Sequence, residues 1–214
     1  MRRFSNAAIA MGTAVAFSSG VWLLRTGAEA YAPPQPSAAQ GRSGTHSGTH
    51  FGTSEGRLSV AALPASPPSR IRIPAIGVNA PMQGLGLTPR GSLDVPPASR
   101  RNLAGWYAAG ATPGERGTAI VAGHVDNADG PAVFYRLGAL RKADTIEVSR
   151  RDGTVALFSV DAVEVHDARD FPDDQVYGAS RRAELRVITC GGGYSEGTGY
   201  RGNVVVYAHL VPPA

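Results

Sequence analysis

Residues Leu185 to Leu210 read LRVITCGGGYSEGTGYRGNVVVYAHL. Two apolar runs rich in β-branched residues flank a connection of Gly, Ser, Thr and Tyr, which predicts two strands joined by a hairpin-like loop. Cys190 ends the first run and is followed at once by Gly191, Gly192 and Gly193. Arg201 opens the second run, 11 residues after the cysteine. A hairpin would return Arg201 beside Cys190 on the neighbouring strand. Cys190 is the chain's only cysteine, so it has no intramolecular thiol to pair with.

Upstream, the same short apolar runs recur. "DTIEVSR" and "VALFSVDAVEV" alternate in hydropathy around an Asp-Gly pair, the pattern of a hairpin. "GTAIVAGH" (Gly117 to His124) reads as a buried strand and "AGWY" as a shorter one, while "RIRIPAIGVNAPM" reads as one or two strands with Pro at their margins. "AVFYRLGAL" (Ala132 to Leu140) has helical spacing over a length suited to a brief helix or turn. Seven or eight strands with little room for helix predict a mainly β domain over residues 69–214, either barrel or sandwich.

Composition agrees. Of the 214 residues, 43% are hydrophobic, and 27 Gly with 16 Pro favour many turns. The net charge is +4, and without Arg2 and Arg3 there remain 19 basic against 17 acidic residues. No basic cluster interleaves with aromatics, which excludes a nucleic-acid footprint.

The first 68 residues are of a different kind. After "MRR", Ala7 to Leu24 is 18 residues without a charge, about 27 Å as a helix, and Arg25 follows. This predicts residues 1–25 as an uncleaved anchor with the arginines inside, a single-pass plasma-membrane protein whose bulk lies outside the cytoplasm. A cleaved secretory signal is the alternative, since "AEA" at Ala28 to Ala30 resembles a cleavage site. Both routes export the chain, and an unpaired cysteine in an exported protein points to a reactive thiol or an intermolecular bond. Residues 26–68 are rich in Ala, Pro, Gly, Ser and Thr and predict a disordered linker. His46 and His50 in "SGTHSGTHFGTS" (Ser43 to Ser54) are four apart, but the Gly-rich context argues against a helical metal site.

A thiol at a strand end beside bare backbone is open to an extended peptide, and it needs a base or cation to become a nucleophile. The alternative is a buried cysteine acting as a small hydrophobe. Among the histidines, His124 ends a buried strand and is the best partner candidate, while His166 reads as a solvated loop residue and His209 as a satisfied sheet residue. Arg201 could steady a thiolate or an oxyanion.

"AGH" at one strand end, "TC" at a later one and an arginine opening the next strand resemble the sortases, the membrane-anchored cysteine transpeptidases of Gram-positive bacteria. The resemblance runs over residues 71–211, and "GHVDNADGPAVFYRLGAL" with "RVITCGGGY" is most similar to the actinobacterial class E and F members. It implies a closed eight-stranded β-barrel with short helices. It also implies Cys190 as nucleophile, His124 as general acid/base, Arg201 as the substrate- or oxyanion-stabilising cation, and Thr189 as a residue lining the substrate pocket. The implied reaction is cleavage of the Thr–Gly bond in an LPxTG-like C-terminal sorting signal of another exported protein. A thioacyl enzyme forms, and a peptidoglycan-precursor or pilin amine resolves it, with water as the default. No cofactor is implied, although some members bind calcium through acidic loops, and Asp167, Asp170, Asp173 and Asp174 cluster here. An L,D-transpeptidase would want a second histidine and a glycine directly before the cysteine, which "VITC" lacks. A catalytically weak or inactive cell-surface binding domain on the same fold is the non-enzymatic alternative.

Overall fold

The computed structural model describes residues 32–42 and 60–213. The charge-free stretch Ala7 to Leu24, the "AEA" triplet and the repeat carrying His46 and His50 lie outside the described residues. Among the described residues no helix is long and apolar enough to cross a membrane.

Among the described residues ten strands form: β1 (Pro68–Ile73), β2 (Val78–Leu85), β3 (Ala104–Tyr107), β4 (Gly117–Ala122), β5 (Asp126–Asn127), β6 (Gly130–Pro131), β7 (Thr145–Arg150), β8 (Val155–Asp167), β9 (Ala183–Ser195) and β10 (Gly199–Val211). Eight of them close a barrel in the order β1-β2-β3-β4-β9-β10-β8-β7, and β5 and β6 pair separately. Closure through β1 and β7 resolves the choice between barrel and sandwich. Period-2 alternation drives it: along β7 every second residue, Ile146, Val148 and Arg150, is buried. The predicted Asp-Gly turn joins β7 to β8, with Gly153 at φ 84° and Asp152 accepting from the Thr154 amide and hydroxyl. The stretch Ala132 to Leu140 contains only one short 3₁₀ turn, Leu137–Ala139.

Inside the barrel, Ile71, Phe134, Phe158, Leu185 and Val206 are fully buried. A second, smaller cluster of Ile120, Ala162, Val176, Ile188, Val205 and Tyr207 lies apart from it. Its members on β9 and β10 alternate with the barrel-core residues Val187, Val204 and Val206, so this cluster sits on the outer face. Val176 comes from α1 (Asp173–Tyr177), the short helix between β8 and β9, and Phe171 packs against the same cluster.

Two pieces of the stretch predicted as linker are ordered against the barrel. Leu63 donates its amide to Gly114 O, and Ser66 is buried with its amide on Thr112 Oγ1. Pro33–Arg42 forms a strap within the same compact unit, Pro33–Ala214. Arg42 makes a two-pronged ion pair with Glu164 and lies 3.9 Å over the Tyr207 ring, and Gln40 Oε1 accepts from the Lys142 amide. Composition alone does not reveal these anchors, because a Pro- and Ala-rich segment is held by single polar side chains and not by a core of its own.

Candidate active site

β4 and β9 run parallel, with Ala122 opposite Ile188. Two further contacts extend the register beyond the strand: the Gly123 amide donates to Ile188 O (3.2 Å), and the Thr189 hydroxyl donates to Gly123 O (2.8 Å). His124 therefore follows the end of β4 at the level of Cys190 on the adjacent strand; β9 itself runs on past the cysteine to Ser195, so the thiol sits within its strand and not at the strand end expected from the sequence. Alternation from Ile188 puts Cys190 on the outer face, and Cys190 is exposed. Thr189 faces the other way. It is 4% exposed, so its hydroxyl ties β9 to the His124 segment and does not line an open pocket.

The His124 ring is fixed by the connection between β2 and β3. Its Nε2 lies 2.7 Å from Pro96 O. A carbonyl oxygen can only accept, so Nε2 carries the proton in the neutral ring and Nδ1 is left to gain or lose one. The same connection is clasped to the segment after His124 at two more points: Asn127 Nδ2 donates to Ala98 O, and Arg101 donates twice to Pro131 O.

Arg201 returns near the start of β10 as the hairpin reading required, but a bulge intervenes. Gly202 pairs with Gly191 and Asn203 with Cys190, while Tyr200 pairs with Tyr194. The Arg201 Nε donates to Gly192 O (3.2 Å), so the guanidinium lies along the glycine backbone just past the cysteine. It lines a recess of about 130 Å³ with His166, Asp167 and Gly192. The glycines serve this arrangement. Gly192 and Gly193 have φ of 76° and 85°, and a Cβ on Gly193 would stand 2.8 Å from Arg201 Nη2.

The electrostatics at the sulfur are unfavourable to a thiolate. Although the residue is exposed, the protein around the sulfur partly desolvates it and pushes its pKa up, and the Asp126 carboxylate pushes it the same way. Asp126, on β5, also accepts a short hydrogen bond from the Tyr200 hydroxyl. Neither residue stands out in the sequence reading, although Asp126 lies two residues after His124 and Tyr200 directly precedes Arg201. The other described histidines have partners. His209 Nδ1 donates to Asp161 Oδ1 (2.7 Å), and His166 Nε2 bonds the Tyr207 hydroxyl (2.9 Å) at the end of β8, so His166 is not a free loop residue.

A groove of about 590 Å³ opens on the outer surface of β3 and β4, lined by Leu87, Leu93, Tyr107, Ile120, Asp173 and Tyr177. Thr118 Oγ1 donates to Gly178 O (2.7 Å), holding the α1 wall to its floor. The groove combines apolar side chains with polar ones, Arg90, Ser92 and Asp173 among them. Among the described residues no group of three or more His, Cys, Asp or Glu side chains is placed to hold a metal ion.

The family profile described as Sortase domain matches residues 71–211. Sortase A from Corynebacterium diphtheriae aligns with a TM-score of 0.53 and 21% identity, covering 70% of this chain and 63% of that one. Sortase C-1 from Actinomyces oris gives 0.52 and 21%, covering 67% and 73%. A Clostridium perfringens sortase D5 transpeptidase gives 0.50 and 20%, covering 68% and 79%. The chain thus spans less than two thirds of the corynebacterial one, and identities at this level establish a shared fold. No curated protein sequence matches the chain.

Proposed function

The chain belongs to the sortase family, and from that premise we propose that it is a cysteine transpeptidase acting on LPxTG-like sorting signals of exported proteins. The observation that carries the reading is that His124, just past the end of β4, lies level with Cys190 on the adjacent parallel strand β9, with the two segments tied by the Thr189–Gly123 bond.

In this reaction the Cys190 sulfur attacks the carbonyl carbon of the Thr–Gly bond, forming a C–S bond. His124 Nδ1 takes the thiol proton as the sulfur attacks and delivers it to the leaving amine as the C–N bond breaks. A second amine, from a peptidoglycan precursor or a pilin lysine, then attacks the thioester, and its proton passes through His124 to the released sulfur as the C–S bond breaks; water does so when no amine is present. Arg201, bonded to Gly192 O two residues past the cysteine, would be the cation for the developing oxyanion or the substrate backbone. The apolar groove takes the residues before the scissile bond, and Thr189 acts as the tie beneath the thiol. Ala7 to Leu24 would keep the enzyme at the plasma membrane with the barrel outside.

The test mixes the full chain in detergent with LPxTG- and LAxTG-type peptides and an oligoglycine amine, and reads intact mass. A thioacyl adduct on the wild type, absent from Cys190→Ala, is expected, with ligated product when the amine is added. A folded wild type whose thiol alkylates but forms no adduct with either peptide would sink the reading and favour a binding domain.

A further inference from the structure

The bond between Tyr200 and Asp126 links β10 to β5, the short strand that follows His124. Asp126 lies two residues past His124; Tyr200 lies on β10, directly before Arg201. β9, carrying Cys190, runs between β4 and β10 in the barrel. The hydrogen bond therefore ties the segment after His124 to the Arg201 end of β10. Its far end is braced: the Tyr200 ring packs edge-to-face on Tyr194 at 5.2 Å, across the hairpin that closes β9 onto β10. Its near end is braced as well, because Asn127 and Pro131 of the β5–β6 pair are bonded to the connection whose Pro96 carbonyl fixes the His124 ring.

We propose that Asp126 and Tyr200 are positioning residues for the Cys190 chemistry, a latch that holds the His124 and Arg201 sides of the site together and sets the charge the resting sulfur faces. The proposal rests on the transpeptidase reading for its kinetic arm only. A carboxylate beside the sulfur keeps the exported thiol protonated, and so less open to oxidation, until substrate enters. Burial and Asp126 both act on the thiol in that direction. Burial and the Asp126 bond likewise raise the Tyr200 phenol, so its proton stays in the latch at neutral pH. The groups facing the sulfur are Asp126 and Tyr200 from the two flanks, with His124 at the end of the adjacent strand and Arg201 beyond Gly192.

Two substitutions separate the charge from the bond. Asp126→Asn removes the negative charge while its amide oxygen can still accept from Tyr200. Tyr200→Phe keeps the ring and the Tyr194 contact but deletes the donor. Because Cys190 is the only cysteine, iodoacetamide alkylation of the full chain reports on that thiol alone, with no peptide substrate needed. The pH profile of alkylation should move to lower pH in Asp126→Asn, with severalfold faster reaction at neutral pH. In the peptide-transfer assay Tyr200→Phe should lower kcat by about tenfold, with a smaller change in KM, as expected for lost orientation. Thermal melts on each variant confirm that it is folded. An unmoved alkylation profile in Asp126→Asn overturns the latch, and so does a wild-type kcat in Tyr200→Phe. Absence of any peptide adduct on the wild type would instead count against the transpeptidase reading, leaving the alkylation arm to decide the charge.

Discussion

Gly193 shows how much one side chain is excluded at this site. Its φ of 85° is a left-handed conformation that costs an L-residue about 1 kcal/mol, and a methyl there would stand 2.8 Å from Arg201 Nη2. Gly193→Ala should therefore lower Tm by a few degrees and slow thioacyl formation, because the displaced guanidinium leaves Gly192 O. Calorimetry and single-turnover mass measurements check this; an unchanged single-turnover rate would show that Arg201 does not depend on its glycine bed. The glycine run was legible as an absence of bulk around a thiol, but its local reason was not. A Cβ on Gly191 would meet Val204 Cγ2 at 2.6 Å, so that glycine is set by β10 packing and not by the groove. Cys190, His124 and Arg201 could be picked out because each sits at the end of an apolar run. Asp126 could not, since its partner is 74 residues away and only the folded barrel brings the two together.

At the scale of elements, the strap Pro33–Arg42 departs most from its composition. It carries no buried residue in its 3₁₀ turn, so its hold is polar: the Arg42 fork on Glu164, the Arg42–Tyr207 stacking, and Gln35 Oε1 accepting from the Gly192 amide (3.3 Å). The last contact places the strap against the turn that follows Cys190. Burial pushes the Glu164 carboxyl up, but the side-chain and backbone hydrogen bonds from Arg42 outweigh it, and the carboxyl is held below its ordinary value. A carboxylate lowered in the folded state stabilises docking above its ordinary pKa, and that contribution is lost as pH falls through the lowered value. Strap release is thus expected on acidification below the ordinary carboxylate range. Arg42→Ala should release it at neutral pH. Amide exchange across the strap should speed by about tenfold, while the barrel amides and Tm change little, since the fork and the stacking are each worth about 1 kcal/mol and are local. Equal exchange in wild type and variant would mean that other contacts hold the segment.

For the whole molecule, alternation along each strand foretells which residues turn inward, but not the order in which strands meet. The β1–β7 closure and the parallel β4–β9 pair come from partners far apart in sequence, and no local pattern encodes them. The consequence is a division of labour between the two apolar clusters. Phe158 is fully buried in the barrel, so Phe158→Ala should cost about 3–5 kcal/mol, a large share of a domain's stability, and lower Tm by about 10 °C. Val176 is equally buried, but in the outer cluster, where it fixes α1 beneath the groove wall formed by Asp173 and Tyr177. Val176→Ala leaves the barrel interior intact, so Tm should fall by only a few degrees. A loosened wall should raise KM for the sorting peptide severalfold, with a smaller effect on kcat, because β4 and β9, which position His124 and Cys190, are held by the barrel. Melting curves and steady-state kinetics on the two variants decide it. If Val176→Ala lowers Tm as far as Phe158→Ala, the outer cluster is part of the folding core and the groove wall is not a separable element.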